Sequence, residues 1–199
     1  MYNVFKKVKI KSIVQLFLII IVISGCSRAT IRYINPAANF SYIKKVAVLP
    51  FNNLSDDRYA GERVRNTLVV DLMSRGVFDV VEQGEVTRVL GAIFREAGVE
   101  EGRAVQVDSE TIKMIGEKLG VQAIILGSVD EYSAGGGYVG GNIVSVAIRM
   151  LDTSSGIILW QVKTTETGRS VWRKMVGIEE VDRSELTRKA VKNAIDTLL

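Results

Sequence analysis

A short uninterrupted apolar run, Val46-Ala47-Val48-Leu49, stops at Pro50, and a helical apolar pattern follows it after a loop of Asn, Ser and Asp. A run that is apolar at every position reads as a strand buried on both faces, and the missing N–H of Pro50 ends its ladder. Tyr59 to Arg75 carries Ala60, Val64, Leu68 and Leu72 at four-residue spacing, and Gly76 stands where a left-handed C-terminal cap belongs. Val77 to Val81 reads as the next strand. Strand, one-sided helix and strand in that order require a crossover that joins parallel neighbours, right-handed by the usual rule.

The rest of the chain extends the same pattern. A second helix, Glu85 to Ala97, shows Val86, Val89, Leu90, Ile93, Phe94 and Ala97 on one side, with Gly98 after it. A third runs from Ser109 to Leu119 with Asp108 or Ser109 as N-cap and Gly120 as its stop. Ala123 to Val129 is a nearly continuous apolar strand, whereas Asn142 to Asp152 and Ile157 to Thr165 alternate. Thr153-Ser154-Ser155-Gly156 joins these last two as a hairpin, and Ser184 to Leu199 forms a final helix with Leu186, Ala190, Val191, Ala194, Ile195 and Leu198 on one side. The order βαβααβββα predicts an α/β (α+β) fold, a five-stranded mixed sheet covered by about four helices. Gly135, Gly137 and Gly140 match GxGxxG, but the following segment alternates as a strand instead of opening a helix, so they read as a hairpin loop and not a nucleotide site.

Ahead of the domain, Lys6, Lys7, Lys9 and Lys11 precede the apolar run Ile13 to Ile23, and Ser24-Gly25 precede Cys26, the chain's one cysteine. This is the layout of a bacterial lipoprotein signal, with residues 1–25 cleaved and Cys26 becoming the acylated N-terminus through S-diacylglycerol and N-acyl groups. The apolar run is about half the ~20 residues that a spanning helix needs. Ser27 in place of aspartate resembles the pattern of lipoproteins sent to the outer membrane. Residues 26–43 then read as lipid anchor and short linker, and residues 44–199 as the folded domain. A linker holding Ile31, Tyr33, Ile34, Phe40 and Tyr42 is not a disordered tether; these residues pack on their own domain or lie across a neighbouring subunit or the bilayer. The formal charge of +4 belongs to the signal: without its four lysines the chain has 22 basic and 22 acidic residues, which removes the case for nucleic acid as a partner.

The chain has no histidine, and Cys26 is committed to the anchor. Imidazole and thiolate chemistry, disulfides and Ser-His-Asp triads are therefore excluded, and no cofactor is expected. Asp56-Asp57 and Glu179-Glu180 are the remaining acidic pairs, and such pairs are ordinarily solvated charge. The stretch Arg169 to Ile178 mixes Arg169, Arg173 and Lys174 with Val171, Trp172, Met175, Val176 and Ile178. Arg169, Trp172, Arg173 and Met175 form the candidate partner-binding patch, because tryptophan and arginine are enriched at binding hot spots; the alternative is that Trp172 covers its own sheet edge.

Val46-Ala47-Val48-Leu49-Pro50-Phe51, Leu72-Met73-Ser74-Arg75-Gly76-Val77-Phe78-Asp79-Val80-Val81-Glu82, Gly120 to Val129 and Leu151 to Trp160 together resemble the CsgG family. That resemblance implies the αβ fold shared with the amino-terminal domain of TolB and with LpoB. It also implies a non-enzymatic lipoprotein of the outer membrane, facing the periplasm, that works as an interaction or scaffold subunit of an envelope assembly or export system. Two other roles come with it, a homo-oligomeric secretion component and an LpoB-like activator of a peptidoglycan synthase. A curli-type channel would need two barrel hairpins, of at least ~20 residues each plus a turn, between Val129 and Asn142 and between Thr165 and Ser184. Neither interval is long enough.

Overall fold

The computed structural model describes residues 29–96, 108–135, 141–168 and 181–198. In chain order the elements are β1 (Ala29–Ile34), β2 (Lys45–Val48), β3 (Asn52–Asn53), α1 (Ala60–Arg75), β4 (Asp79–Val80), α2 (Gln83–Glu96), α3 (Ser109–Leu119), β5 (Ala123–Ser133), β6 (Ile143–Asp152), β7 (Ile158–Thr167) and α4 (Arg183–Ile195). The strands form one mixed sheet of order β1-β7-β6-β5-β2-β4, with β3 paired to β5 in line beyond β2. β2 lies parallel to β4 and β5, while β5, β6, β7 and β1 are successively antiparallel. The α/β class and the βαβ beginning are as the sequence predicts.

The strand count is not: the sheet has seven strands, not five. β3 has only two residues, too few to show a period. β1 falls in the stretch read as linker, and it gives no burial signal because it is an edge strand with both faces exposed, Ile31 at 73%, Tyr33 at 50% and Ile34 at 40%. Its pairing with β7 is nevertheless complete, from Ala29 opposite Thr165 to Ile34 opposite Trp160.

Two apolar layers sandwich part of the sheet. Under α1 and α4, Val46 and Val48 of β2, Ile125 and Val129 of β5, Val146, Ile148 and Met150 of β6, and Trp160 and Val162 of β7 form the larger core. On the opposite face α2 and α3 cover only Ala47 and Leu49 beside β2's line, Ile124 and Leu126 of β5, and Leu151 of β6. The continuous apolar runs are thus the strands covered twice, and the alternating ones are covered once. Trp160 is 1% exposed and its Nε1 donates to Thr197 Oγ1 at 3.0 Å, which satisfies the one polar atom of its ring.

Helix ends follow the sequence signals. Gly76 and Gly120 take positive φ (62° and 63°) at the C-terminal caps of α1 and α3, a conformation that a Cβ disfavours. Asp108 caps α3 by accepting from the Thr111 N–H at 2.8 Å.

Candidate functional site

Half of one sheet face has no helix over it among the described residues. The register shows which side chains share that face: Tyr33, Gln161, Arg149 and Leu126 form one row across β1, β7, β6 and β5, and Ile31, Lys163, Ala147 and Ser128 form the next. Ala147 and Arg149 alternate with the core residues Val146, Ile148 and Met150, so the period of two along β6 decides which residues face outward. A cleft of about 360 Å³ lies on this face, lined by Asn52, Leu54, Leu126, Ser128, Arg149 and Gln161 among others. Leu54 on its rim is 71% exposed. Lys163 is held by Asp130, Nζ to Oδ2 at 2.7 Å. Arg149 is exposed and makes no ion pair among the described residues. The surface is therefore an open shelf of mixed polarity, with exposed Ile31, Tyr33 and Leu54 along it.

The clustered polar groups elsewhere hold the fold together. Asp152, 4% exposed, closes the β6–β7 turn: its Oδ2 accepts from Ser154 Oγ (2.6 Å), Ser155 N (2.9 Å) and Ser155 Oγ (2.5 Å), and its Oδ1 accepts from Tyr42 Oη (2.8 Å). Burial alone would raise its pKa, but the bonds from Ser154, Ser155 and Tyr42 outweigh that and hold it down at about 2. Burial, followed by the bond to Asp152, pushes the Tyr42 phenol up to about 12. Arg65 reaches under β2, donating from Nε and Nη2 to the Val48 carbonyl at 3.1 and 2.7 Å, and burial pulls its pKa down.

Of the acidic pairs considered, Asp57 is tied by Arg183 (3.2 Å) and Arg63 (3.5 Å), while Asp56 beside it is exposed. Arg183 also lies 5.3 Å over the Tyr132 ring, so Asp57 joins the starts of α1 and α4 instead of standing ready as an acid or base. Glu179 and Glu180 lie outside the described residues, as do Cys26, Arg169, Trp172, Arg173 and Met175. No group of three or more acidic, histidine or cysteine side chains suited to a metal occurs among the described residues.

The described residues that flank 169–180 are tied to one another through Asn142. Gly168 N donates to the Asn142 carbonyl at 2.7 Å, and Asn142 Nδ2 donates to the Val181 carbonyl at 2.9 Å. Gly168 and Val181 therefore lie together beside Asn142, at the loop end of the β5–β6 hairpin. Ala29 lies at the same end of the sheet, in line with Thr165, Ser145 and Glu131. The sequence reasoning did not find the open shelf, although its signal was present: Ser145, Ala147, Arg149, Gln161 and Lys163 are the small or polar half of the alternating strands.

The family model described as curli production assembly/transport component CsgG matches residues 29–199. The chain belongs to the CsgG family. Its matched region begins at the first residue of β1, so the edge strand is part of the family domain. No protein of curated function matches the sequence. Among solved structures, the PelC dodecamer from Paraburkholderia phytofirmans aligns with TM-score 0.56 at 18% identity, covering 86% of this chain and 96% of that one. Lipoprotein GNA1162 from Neisseria meningitidis aligns at 0.49 and 19%, covering 77% and 99%, and the LpoB C-terminal domain from Escherichia coli at 0.47 and 15%, covering 65% and 87%. At such identities the likeness to PelC is one of fold. Among the described residues, no helix is long and apolar enough to cross a membrane.

Proposed function

We propose that this CsgG-family protein is an outer-membrane-anchored periplasmic lipoprotein, held by acyl groups on Cys26, that acts as a non-enzymatic scaffold subunit of a cell-envelope assembly or export system. The observation that carries the reading is the half-sheet over which no described helix lies: among the described residues it leaves a broad surface for contact, while Asp57 and Asp152 are occupied in structural bonds. The position of β1 adds to it. Ala29 follows Cys26 by three residues, a reach of about 11 Å at 3.8 Å per residue, so an acylated Cys26 keeps the sheet end close to the bilayer. That short reach speaks against an activator that must cross the cell-wall layer. The Arg169, Trp172, Arg173 and Met175 patch belongs to the same proposal as a second contact, since the described flanking residues Gly168 and Val181 lie at the Ala29 end of the sheet.

Fractionation of cells carrying the full chain or Cys26→Ser tests the anchor. The parent protein should sediment with outer membranes and the variant should appear folded in the periplasm. A variant that stays in the membrane fraction refutes acylation as the attachment.

A homo-oligomeric assembly is the second reading, favoured because PelC, which shares the fold over 96% of its chain, was solved as a dodecamer. Native mass spectrometry of the detergent-solubilised lipoprotein separates a closed multimer from a monomer.

A further inference from the structure

We infer that the free edge of β1 takes up an extended segment of a different protein, which adds to the sheet as a further strand antiparallel to β1 and sets an acidic residue opposite Arg32. This contact deepens the scaffold reading given above and rests on it.

The backbone decides what the edge offers. Asn35 N donates to the Leu159 carbonyl at 2.9 Å, and the register puts Ala29, Ile31 and Tyr33 in the same inward-bonding positions opposite Thr165, Lys163 and Gln161. Thr30, Arg32 and Ile34 alternate with them, so the N–H and C=O of these three point away from β7. β1 stands last in the sheet order, and no described strand pairs with that side. The opposite edge is β4, whose two residues leave almost no ladder to extend. β1 has six residues, holds its register with β7 from end to end without a bulge, and contains no proline. Short length, a bulge or a proline is what ordinarily blunts an edge, and β1 has none of them.

The side chains define the occupant. Ile31 and Tyr33 lie on the open face, 73% and 50% exposed, and Ile34 lies on the other face, 40% exposed. A strand added to this edge covers them with its own alternate residues, which must then be apolar. Between Thr30 and Ile34 stands Arg32, opposite the core residue Val162, exposed and in no ion pair among the described residues. A carboxylate directly across from Arg32 is favourable, and a second cation there is not. The same rule speaks against a second copy as the occupant. Two β1 edges paired antiparallel about their outward residues set Thr30 against Ile34 and Arg32 against Arg32. The fitting segment is therefore apolar opposite Ile34, Tyr33 and Ile31, and acidic opposite Arg32.

The test uses the full-length lipoprotein in detergent and the synthetic peptide acetyl-Ser-Val-Val-Asp-Val-Thr-Ser-amide, with a second peptide carrying lysine in place of the aspartate. Amide hydrogen exchange read residue by residue should slow roughly tenfold at Thr30, Arg32 and Ile34 when the first peptide saturates. Exchange at Ile31 and Tyr33, which already bond to β7, should stay as it was. The lysine peptide should bind roughly three- to fivefold more weakly, and Arg32→Glu should reverse that preference. Arg32→Pro removes one outward N–H, keeps the β7 ladder and suits an edge strand, so it should abolish the protection with circular dichroism unchanged. If that variant misfolds, the reversed preference of Arg32→Glu carries the test. Unchanged exchange at Thr30, Arg32 and Ile34 up to millimolar peptide overturns the contact, and so does an Arg32→Glu variant that still prefers the aspartate peptide. The scaffold reading fails on a different result, the absence of any envelope protein cross-linked to the chain in cells, so the two failures are distinct.

Discussion

Replacing Asp152 with asparagine probes whether one carboxylate organises the β6–β7 turn. Asparagine preserves the shape and one carbonyl oxygen, so the Tyr42 bond to Oδ1 survives. The other position becomes an NH₂ group, which cannot accept from Ser154 Oγ, Ser155 N and Ser155 Oγ as Oδ2 does. Its magnitude follows from linkage. A carboxyl at about 2 in the fold and 3.8 in the unfolded chain contributes about 2 kcal/mol, since each pH unit between the two values is worth about 1.4 kcal/mol. The folded value is the lower one, so this contribution is complete above pH 3.8 and is lost as pH falls through about 2. Urea denaturation from pH 7 down to pH 2.5 should show the parent losing most of those ~2 kcal/mol in excess of Asp152→Asn, with the variant already weaker at pH 7 by a similar amount. An absorbance titration should show the Tyr42 phenol, held at about 12, moving down in the variant as the carboxylate beside it disappears. Parallel pH profiles for the two proteins would refute the reasoning.

Gly127→Ala should lower the melting temperature, because a Cβ there would lie 2.3 Å from the Phe51 ring, and the clash is worth about 1–3 kcal/mol or several degrees for a domain of this size. An unchanged melting temperature would show that Phe51 is free to move aside. Trp172→Ala should reduce partner capture in cross-linking pull-downs and leave the circular dichroism unchanged; equal capture removes that patch from the proposal.

What the sequence made legible was whatever packing imposes on neighbouring residues. Val46 to Leu49 is apolar at every position because Val46 and Val48 join the core that α1 covers, while Ala47 and Leu49 join the layer under α2 and α3 on the other face. β5 even changes pattern along its length: Ala123 to Leu126 is continuous, and from Gly127 onward buried Val129 and Tyr132 are interrupted by Ser128, Asp130 and Glu131. The change falls where the strand leaves the α2–α3 layer, so the boundary of the open shelf was encoded but unread. β1 was illegible for the opposite reason. Ile31 and Tyr33 point to the open face and Arg32 sits opposite the core residue Val162, which inverts the expected polarity for an edge strand exposed on both sides. Its place is set by backbone pairing with β7, and backbone bonds leave no period in the side chains.

Acylation of Cys26 would also restrict how copies meet. The free edge of β1 is an obvious place for self-pairing, because six residues of backbone with a single charge, Arg32, offer little protection against it. Two such edges joined across a two-fold axis run antiparallel, so one copy's Ala29 end points along the sheet opposite to its partner's. Each Ala29 is tied to Cys26 by about 11 Å of chain, and one of the two copies would then carry its anchor away from the bilayer that holds the other. A cyclic multimer would instead keep every copy in the same sense relative to a common axis, so that all the Ala29 ends emerge on one side. On the proposed anchoring, a single bilayer would therefore disfavour edge-to-edge pairing of β1 between copies.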